Sequence, residues 1–141
     1  MWVGMKLSIA SYSFHRLLRE GKQDMVGYIR DCKTLGVTHL EPWNGHFAAP
    51  DTEPGQPPLL NHPKQLEYLQ NIKKVADSAS LPFGCIAVDG AHIYEADAAQ
   101  RQGNKHRASQ WLEVAVYLGA AQIRIDAGYQ GDVWPEDVFT M

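Results

Sequence analysis

Gly36-Val37-Thr38-His39-Leu40-Glu41-Pro42-Trp43 is a short extended run that starts at a helix-ending glycine and finishes on a carboxylate and an indole. Upstream, Met25, Tyr28, Ile29, Cys32 and Leu35 recur at helical spacing, so a helix opens at Asp24 and closes where Gly36 supplies a left-handed C-cap. In the strand that follows, Leu40 is expected to face helices, while His39 and Glu41 share the opposite face and Trp43 stands at its end.

The same plan recurs along the chain. Lys6 to Phe14 reads as a first strand, with Leu7 and Ile9 on an aliphatic face and Ser8, Ala10 and Tyr12 on a small or polar one. Leu81 to Asp89 reads as a third, with Ile86 and Val88 opposed to Cys85, Ala87 and Asp89. Ala121 to Asp126 reads as a fourth, with Ile123 and Ile125 opposed to Gln122, Arg124 and Asp126. A helix from Pro63 to about Ser80, capped by Asn61 or His62, carries the stripe Leu66, Leu69, Ile72, Val75, Ala76 and Ala79. Another is expected to begin near Asn104, with Ala108, Trp111, Leu112, Ala115 and Leu118 inward and Gly119 at its stop. The long segment 44–62, rich in proline and glycine, reads as either a binding loop or a disordered insertion.

Strand and helix in alternation imply parallel strands joined by right-handed crossovers. The central strands of an open doubly wound sheet would be aliphatic on both faces, whereas each of these has one polar face. A barrel with helices outside and a partly polar interior fits better, with its functional rim at the C-terminal strand ends. A complete barrel needs about 250 residues, and this chain has 141. The expected architecture is therefore an α/β fold, a parallel (β/α) half-barrel of about four βα units, with strands near 6–14, 37–43, 81–89 and 121–126. A helix start at Asp132-Val133-Trp134-Pro135-Glu136-Asp137 shortly before Met141 suggests a chain truncated after residue 141, the N-terminal half of a larger barrel.

Composition narrows the partners. A formal net charge of −3 gives no broad footprint for nucleic acid or anionic membrane. The cluster Arg101, Lys105, His106 and Arg107 reads as a solvated helix face. No segment is apolar for long enough to span a bilayer, and the N-terminus lacks a signal-peptide pattern, so the cytoplasm is the default compartment. Cys32 and Cys85 lack metal or redox spacing and read as buried small hydrophobes.

The run Lys6-Leu7-Ser8-Ile9-Ala10-Ser11-Tyr12-Ser13-Phe14, the Leu35-Gly36 stop before a strand ending in Glu41, the ending Ala87-Val88-Asp89 and the Leu118-Gly119 unit together resemble the xylose isomerase-like TIM barrels. This superfamily includes sugar phosphate isomerases and epimerases, inosose dehydratases and the endonuclease IV type of DNA-repair enzyme. The resemblance implies a metal-dependent enzyme that moves a proton or hydride between adjacent carbons of a sugar or polyol. It also implies a divalent metal (Mn, Mg, Co or Zn) in the full-length parent, held mainly by residues of the second half of the barrel; no metal ligand is identifiable in this chain.

Glu41, Asp89 and Asp126 end their strands on the inner face and are expected to converge on one rim. Glu41 and Asp89 are the candidate catalytic carboxylates, and Asp126 a candidate substrate contact. Internal pairing with Arg124, on the same face, is the competing account of these acids. Tyr12 and Trp43 suit stacking on the apolar face of a sugar ring, whereas Phe14 suits core filling. His15 and His92 follow the first and third strands and are candidate substrate contacts; His39 suits a hydrogen-bonded structural role. Two alternatives stay open: an endonuclease IV-type barrel, which the acidic balance disfavours, and a non-catalytic half-barrel that self-associates as a homo-oligomer through its open edges.

Overall fold

The computed structural model of the protein describes residues 4–93 and 95–128. Its helices are α1 (His15–Arg19), α2 (Met25–Leu35), α3 (Pro63–Ala79) and α4 (Ala98–Leu118); its strands are β1 (Cys85–Val88) and β2 (Gln122–Ile125), paired in parallel with Ile86 opposite Ile123. The α/β class is as expected from the sequence. Tyr94 and the helix start at Asp132–Asp137 lie outside the described residues.

The helix ends follow their local chemistry. Asp24 is extended and its side chain accepts from Gly27 N at 2.7 Å, opening α2, while Gly36 closes it at φ 74°. Pro63 opens α3. Helix α4 begins at Ala98 rather than near Asn104, because Asp97 accepts from Gln100 N at 2.8 Å and starts several polar turns before the apolar period sets in. Its buried residues are Trp111, Val114, Ala115 and Leu118, while Leu112 is 48% exposed, against expectation.

The strands are shorter than expected. The first extended run stops at Ala10, which bridges Glu41, and Ser11–Phe14 then turns into a 3-10 helix that leads into α1. Ser11 N donates to Glu41 O (2.9 Å), and Ser13 N turns back onto Ala10 O (2.9 Å). Tyr12 and Phe14 are therefore past the strand. Leu7 is 55% exposed rather than packed under a helix, because its segment lies at the edge of the array. In the opening stretch, Leu40 and Trp43 make isolated parallel bridges to Phe83 and Ala87. Pro42 has no N–H to continue a ladder, although its carbonyl accepts from Ala87 N at 2.9 Å. The third run narrows to Cys85–Val88 and the fourth to Gln122–Ile125. The result is four extended segments hydrogen-bonded in chain order and all parallel, of which only the last two form a regular ladder.

Side chains supply what the short ladders lack. Tyr28, fully buried on α2, donates its hydroxyl to Ile9 O (2.6 Å) and accepts from Glu41 N (2.9 Å), joining the first two segments. Burial pushes this phenol well above its usual range, so it stays neutral and able to donate. Around it, Ile29 and Cys32 meet Leu69 and Ile72 of α3, Trp111 and Val114 of α4, and Leu40, Ile86 and Val88 of the sheet in one apolar core. The two cysteines are free; Cys85 is half-buried on the inner face rather than part of the core.

Segment 44–62 is packed. Asn44–His46 forms a 3-10 turn, Phe47 stacks edge-on against Trp111 at 5.1 Å, and Leu59 N donates to the buried Gln65 Oε1 (2.8 Å). The basic cluster is only partly a solvated face. Arg107 donates to Gly90 O (2.6 Å), Arg101 to Glu95 O (2.6 Å) and Asn104 to His92 O (2.8 Å), so the early start of α4 lets its first turns hold the preceding loop. Among the described residues no helix is long and apolar enough to cross a membrane.

Replacing Tyr28 by Phe strands Ile9 O and Glu41 N, and should cost about 1–3 kcal/mol in urea unfolding. His46 is fully buried, and among the described residues neither ring nitrogen makes a well-formed hydrogen bond, although the backbone of Asp24 and Ser11 lies close by. Burial holds its pKa below the ordinary 6.5, only partly offset by the backbone of Asp24 and Ser11 and by the Asp24 charge. The unfolded chain thus takes up this proton more readily than the folded one, so stability present above pH 6.5 is lost as pH falls through the folded pKa. His46→Phe should flatten the pH 7-to-5 slope of Tm relative to the wild type; an unchanged slope would show that His46 does not carry it.

Candidate functional site

The C-terminal ends of the first three parallel segments are tied together by short polar side chains. Ser11, fully buried, accepts from Trp43 N through Oγ at 2.8 Å, linking the ends of the first two. Asn44, 2% exposed, links the second and third: Asp89 N donates to its Oδ1 (3.1 Å), and its Nδ2 donates to Asp89 O (3.0 Å) and Gly55 O (3.1 Å). Neither residue stood out in the sequence. A serine after a strand and an asparagine opening a polar loop carry no periodic signal, and their partners are distant in the chain.

Side chains then form a connected rim. Trp43 Nε1 donates to Asp89 Oδ2 at 2.7 Å, and Arg124 Nη2 donates to Asp89 Oδ1 at 2.7 Å. Arg124 Nε also lies 3.5 Å from Asp126 Oδ1. Asp89 and Asp126 thus meet through Arg124, the internal pairing foreseen as an alternative. Asp89, Arg124 and Asp126 are each well exposed, so these ion pairs orient groups more than they stabilise the fold.

Glu41 stands apart from this network. Its Oε1 is 3.5 Å from His39 Nε2, and His39 Nδ1 lies 3.0 Å from Thr38 Oγ1. The His39 imidazole covers Gly84 so closely that any side chain there would overlap it. Glu41 and His39 line an inner-face cleft of about 520 Å³ with Lys6, Cys85 and Gln122, toward the N-terminal ends of the strands.

Above the rim is a second cleft of about 520 Å³, between α1 and segment 44–62, walled by Tyr12, His15, Trp43 and Ala48. Tyr12 meets Trp43 edge-on at 5.1 Å and stacks on His15 at 4.8 Å, and His15 Nδ1 lies 2.9 Å from Tyr12 O. That contact leaves His15 Nε2 for a ligand. Phe14 packs on Tyr28 at 5.9 Å, the core role foreseen for it. His92 is not brought here; it lines a polar cleft with Glu95, Asn104 and Arg107.

Among the described residues no three His, Cys, Asp or Glu side chains gather closely enough to hold a metal ion. These residues do not by themselves fit the divalent metal that the resemblance implies.

The indole is held by its surroundings. A methyl group at Gly45 would overlap the six-membered ring of Trp43. Gly45→Ala should therefore shift the indole away from Asp89, moving the Trp43 Nε1–H resonance in an NMR spectrum and destabilising the fold by about 1–3 kcal/mol. An unmoved resonance would show that the indole tolerates the added methyl.

No protein-family model and no curated protein matches this chain. Its fold is similar to that of the 3-keto-D-glucoside 4-epimerase YcjR from E. coli in its apo crystal form, with a TM-score of 0.57 at 13% sequence identity. The similarity covers 77% of this chain and 35% of that one, so the chain spans little more than a third of that protein's length. At that identity the likeness is one of fold.

Proposed function

We propose that this chain provides four consecutive βα units of a (β/α)8 barrel of the sugar isomerase and epimerase type, and that its rim binds a sugar or polyol. The carrying observation is the juxtaposition of Tyr12 and Trp43 with Asp89, Arg124 and Asp126 at the C-terminal ends of parallel segments, where such barrels place their sites. A pyranose has apolar C–H faces and equatorial hydroxyls, so aromatic walls beside charged hydrogen-bonding groups suit both of its surfaces. The fold likeness to a sugar epimerase supports the same reading.

The roles divide by what each group already holds. Asp89 has one lone pair committed on each oxygen, to Trp43 and to Arg124, so it accepts hydroxyl hydrogen bonds and orients its neighbours. Arg124 and Asp126 complete the polar rim, and His15 Nε2 donates or accepts from the side. Among the described residues Glu41 has His39 as its charged partner, at 3.5 Å, and lines the inner-face cleft below the rim, so it would act as general base on a ligand that reaches inward from the rim. Its carboxylate would take a proton from a carbon next to a carbonyl, the electron pair moving onto the carbonyl oxygen, and return it on either face. Metal dependence belongs to the completed barrel, whose remaining strands would supply the ligands.

The reading is tested by titrating the chain with methyl β-D-glucopyranoside while following amide and indole resonances. Shifts should centre on Tyr12, Trp43 and Asp89, and Trp43→Ala should weaken binding about tenfold, about 1.4 kcal/mol. Saturation without shifts at these residues, or no binding by this or other neutral sugars, would remove the proposal.

A further inference from the structure

Trp43 belongs to two compartments at once. Its pyrrole edge faces the polar rim, where Nε1 donates to Asp89 at 2.7 Å. Its six-membered ring lies over Gly45, in the cleft between α1 and segment 44–62. Beyond the indole that cleft is lined by Leu18, Phe47, Ala48, Ala49 and Pro54, and a sugar has few apolar atoms to set against such a surface. At about 520 Å³ it has the size of a small-molecule site in its own right.

Its walls are tied into the rest of the fold. Phe47 and Ala49 are buried, Phe47 against Trp111, and Ala48 N donates to Tyr68 Oη at 3.1 Å. Thr52 Oγ1 donates back to Ala49 O at 2.6 Å, so this hydroxyl is turned into its own loop. Arg19 is the charged side chain of the lining, and it is exposed. The cleft is thus a preformed apolar compartment adjoining a polar one, with a shared indole between them.

We propose that the ligand of this site is a glycoside carrying an apolar or aromatic aglycone, its sugar on the Asp89–Arg124–Asp126 rim and its aglycone in the cleft behind Trp43. This rests on the sugar-recognition reading above and adds the substrate class. Burying an aryl group there removes apolar surface from water without breaking any hydrogen bond of the rim.

The test compares binding of methyl β-D-glucopyranoside, phenyl β-D-glucopyranoside, phenol and glucose 6-phosphate to the same chain. The phenyl glycoside should bind at least about tenfold more tightly than the methyl glycoside and shift Ala48 and Ala49 resonances as well as Trp43. Pro54→Asp, at the exposed lip, should remove that preference while leaving methyl glycoside binding unchanged; Thr52→Asp serves if the first variant misfolds. Equal affinity for the two glycosides would overturn the aglycone compartment while leaving the sugar reading standing. Absence of binding by both would overturn the sugar reading itself. Phenol binding as tightly as the phenyl glycoside, or glucose 6-phosphate binding more tightly than either glycoside, would overturn the two-part ligand.

Discussion

The hydroxyl of Tyr28 does work that a longer β-ladder would otherwise do. By donating to Ile9 O and accepting from Glu41 N, it holds the first extended segment against the second from within the core. Segments this short and interrupted by proline leave backbone groups without strand partners, and buried backbone groups left unpaired are costly. Thr38, whose Oγ1 meets both Leu7 N and Leu7 O at 2.9 Å, and Ser11, which accepts from Trp43 N, do the same at either end. The parallel array is held by a set of side-chain bridges as much as by its ladder.

Those bridges decide what the rim can do. Once Asn44 has tied the Asp89 backbone to Gly55, the Asp89 carboxylate is presented between Trp43 and Arg124 and is taken up by both. Each oxygen of that carboxylate therefore already accepts one hydrogen bond. Glu41, deeper on the inner face beside His39, keeps its acceptor capacity. Two carboxylates that look equivalent as strand-terminal acids thus have different neighbours, and chemistry follows the neighbours.

Much of the scaffold was legible because it obeys local rules. The α2 stripe of Tyr28, Ile29 and Cys32, the αL stop at Gly36, the proline opening α3 and the burial of Ile86 and Val88 all follow from spacing and capping within a few residues. The misjudged pieces depend on contacts across the chain. Strand ends at Ala10 and Val88 are set by where a partner segment stops; Leu112 is exposed because the core side of α4 is set by Trp111 and Val114. Arg101 and Arg107 resembled solvated charges until the loop they hold was placed beside them.

The sequence by itself determined the alternation of helix and extended segment, the caps that separate them, and the side of each strand that carries polar groups, because these depend on backbone preferences and on periods of 2.0 and 3.6 residues. Only the tertiary structure decided that Asp89 meets Trp43 and Arg124 while Glu41 does not, and that His46, Asn44 and Gln65 lie buried inside or beside a polar loop. Those outcomes turn on the register between segments tens of residues apart, where a shift of one residue reverses which side chains share a face. No local pattern encodes that register. It is set when Tyr28, Ser11 and Asn44 find their distant backbone partners.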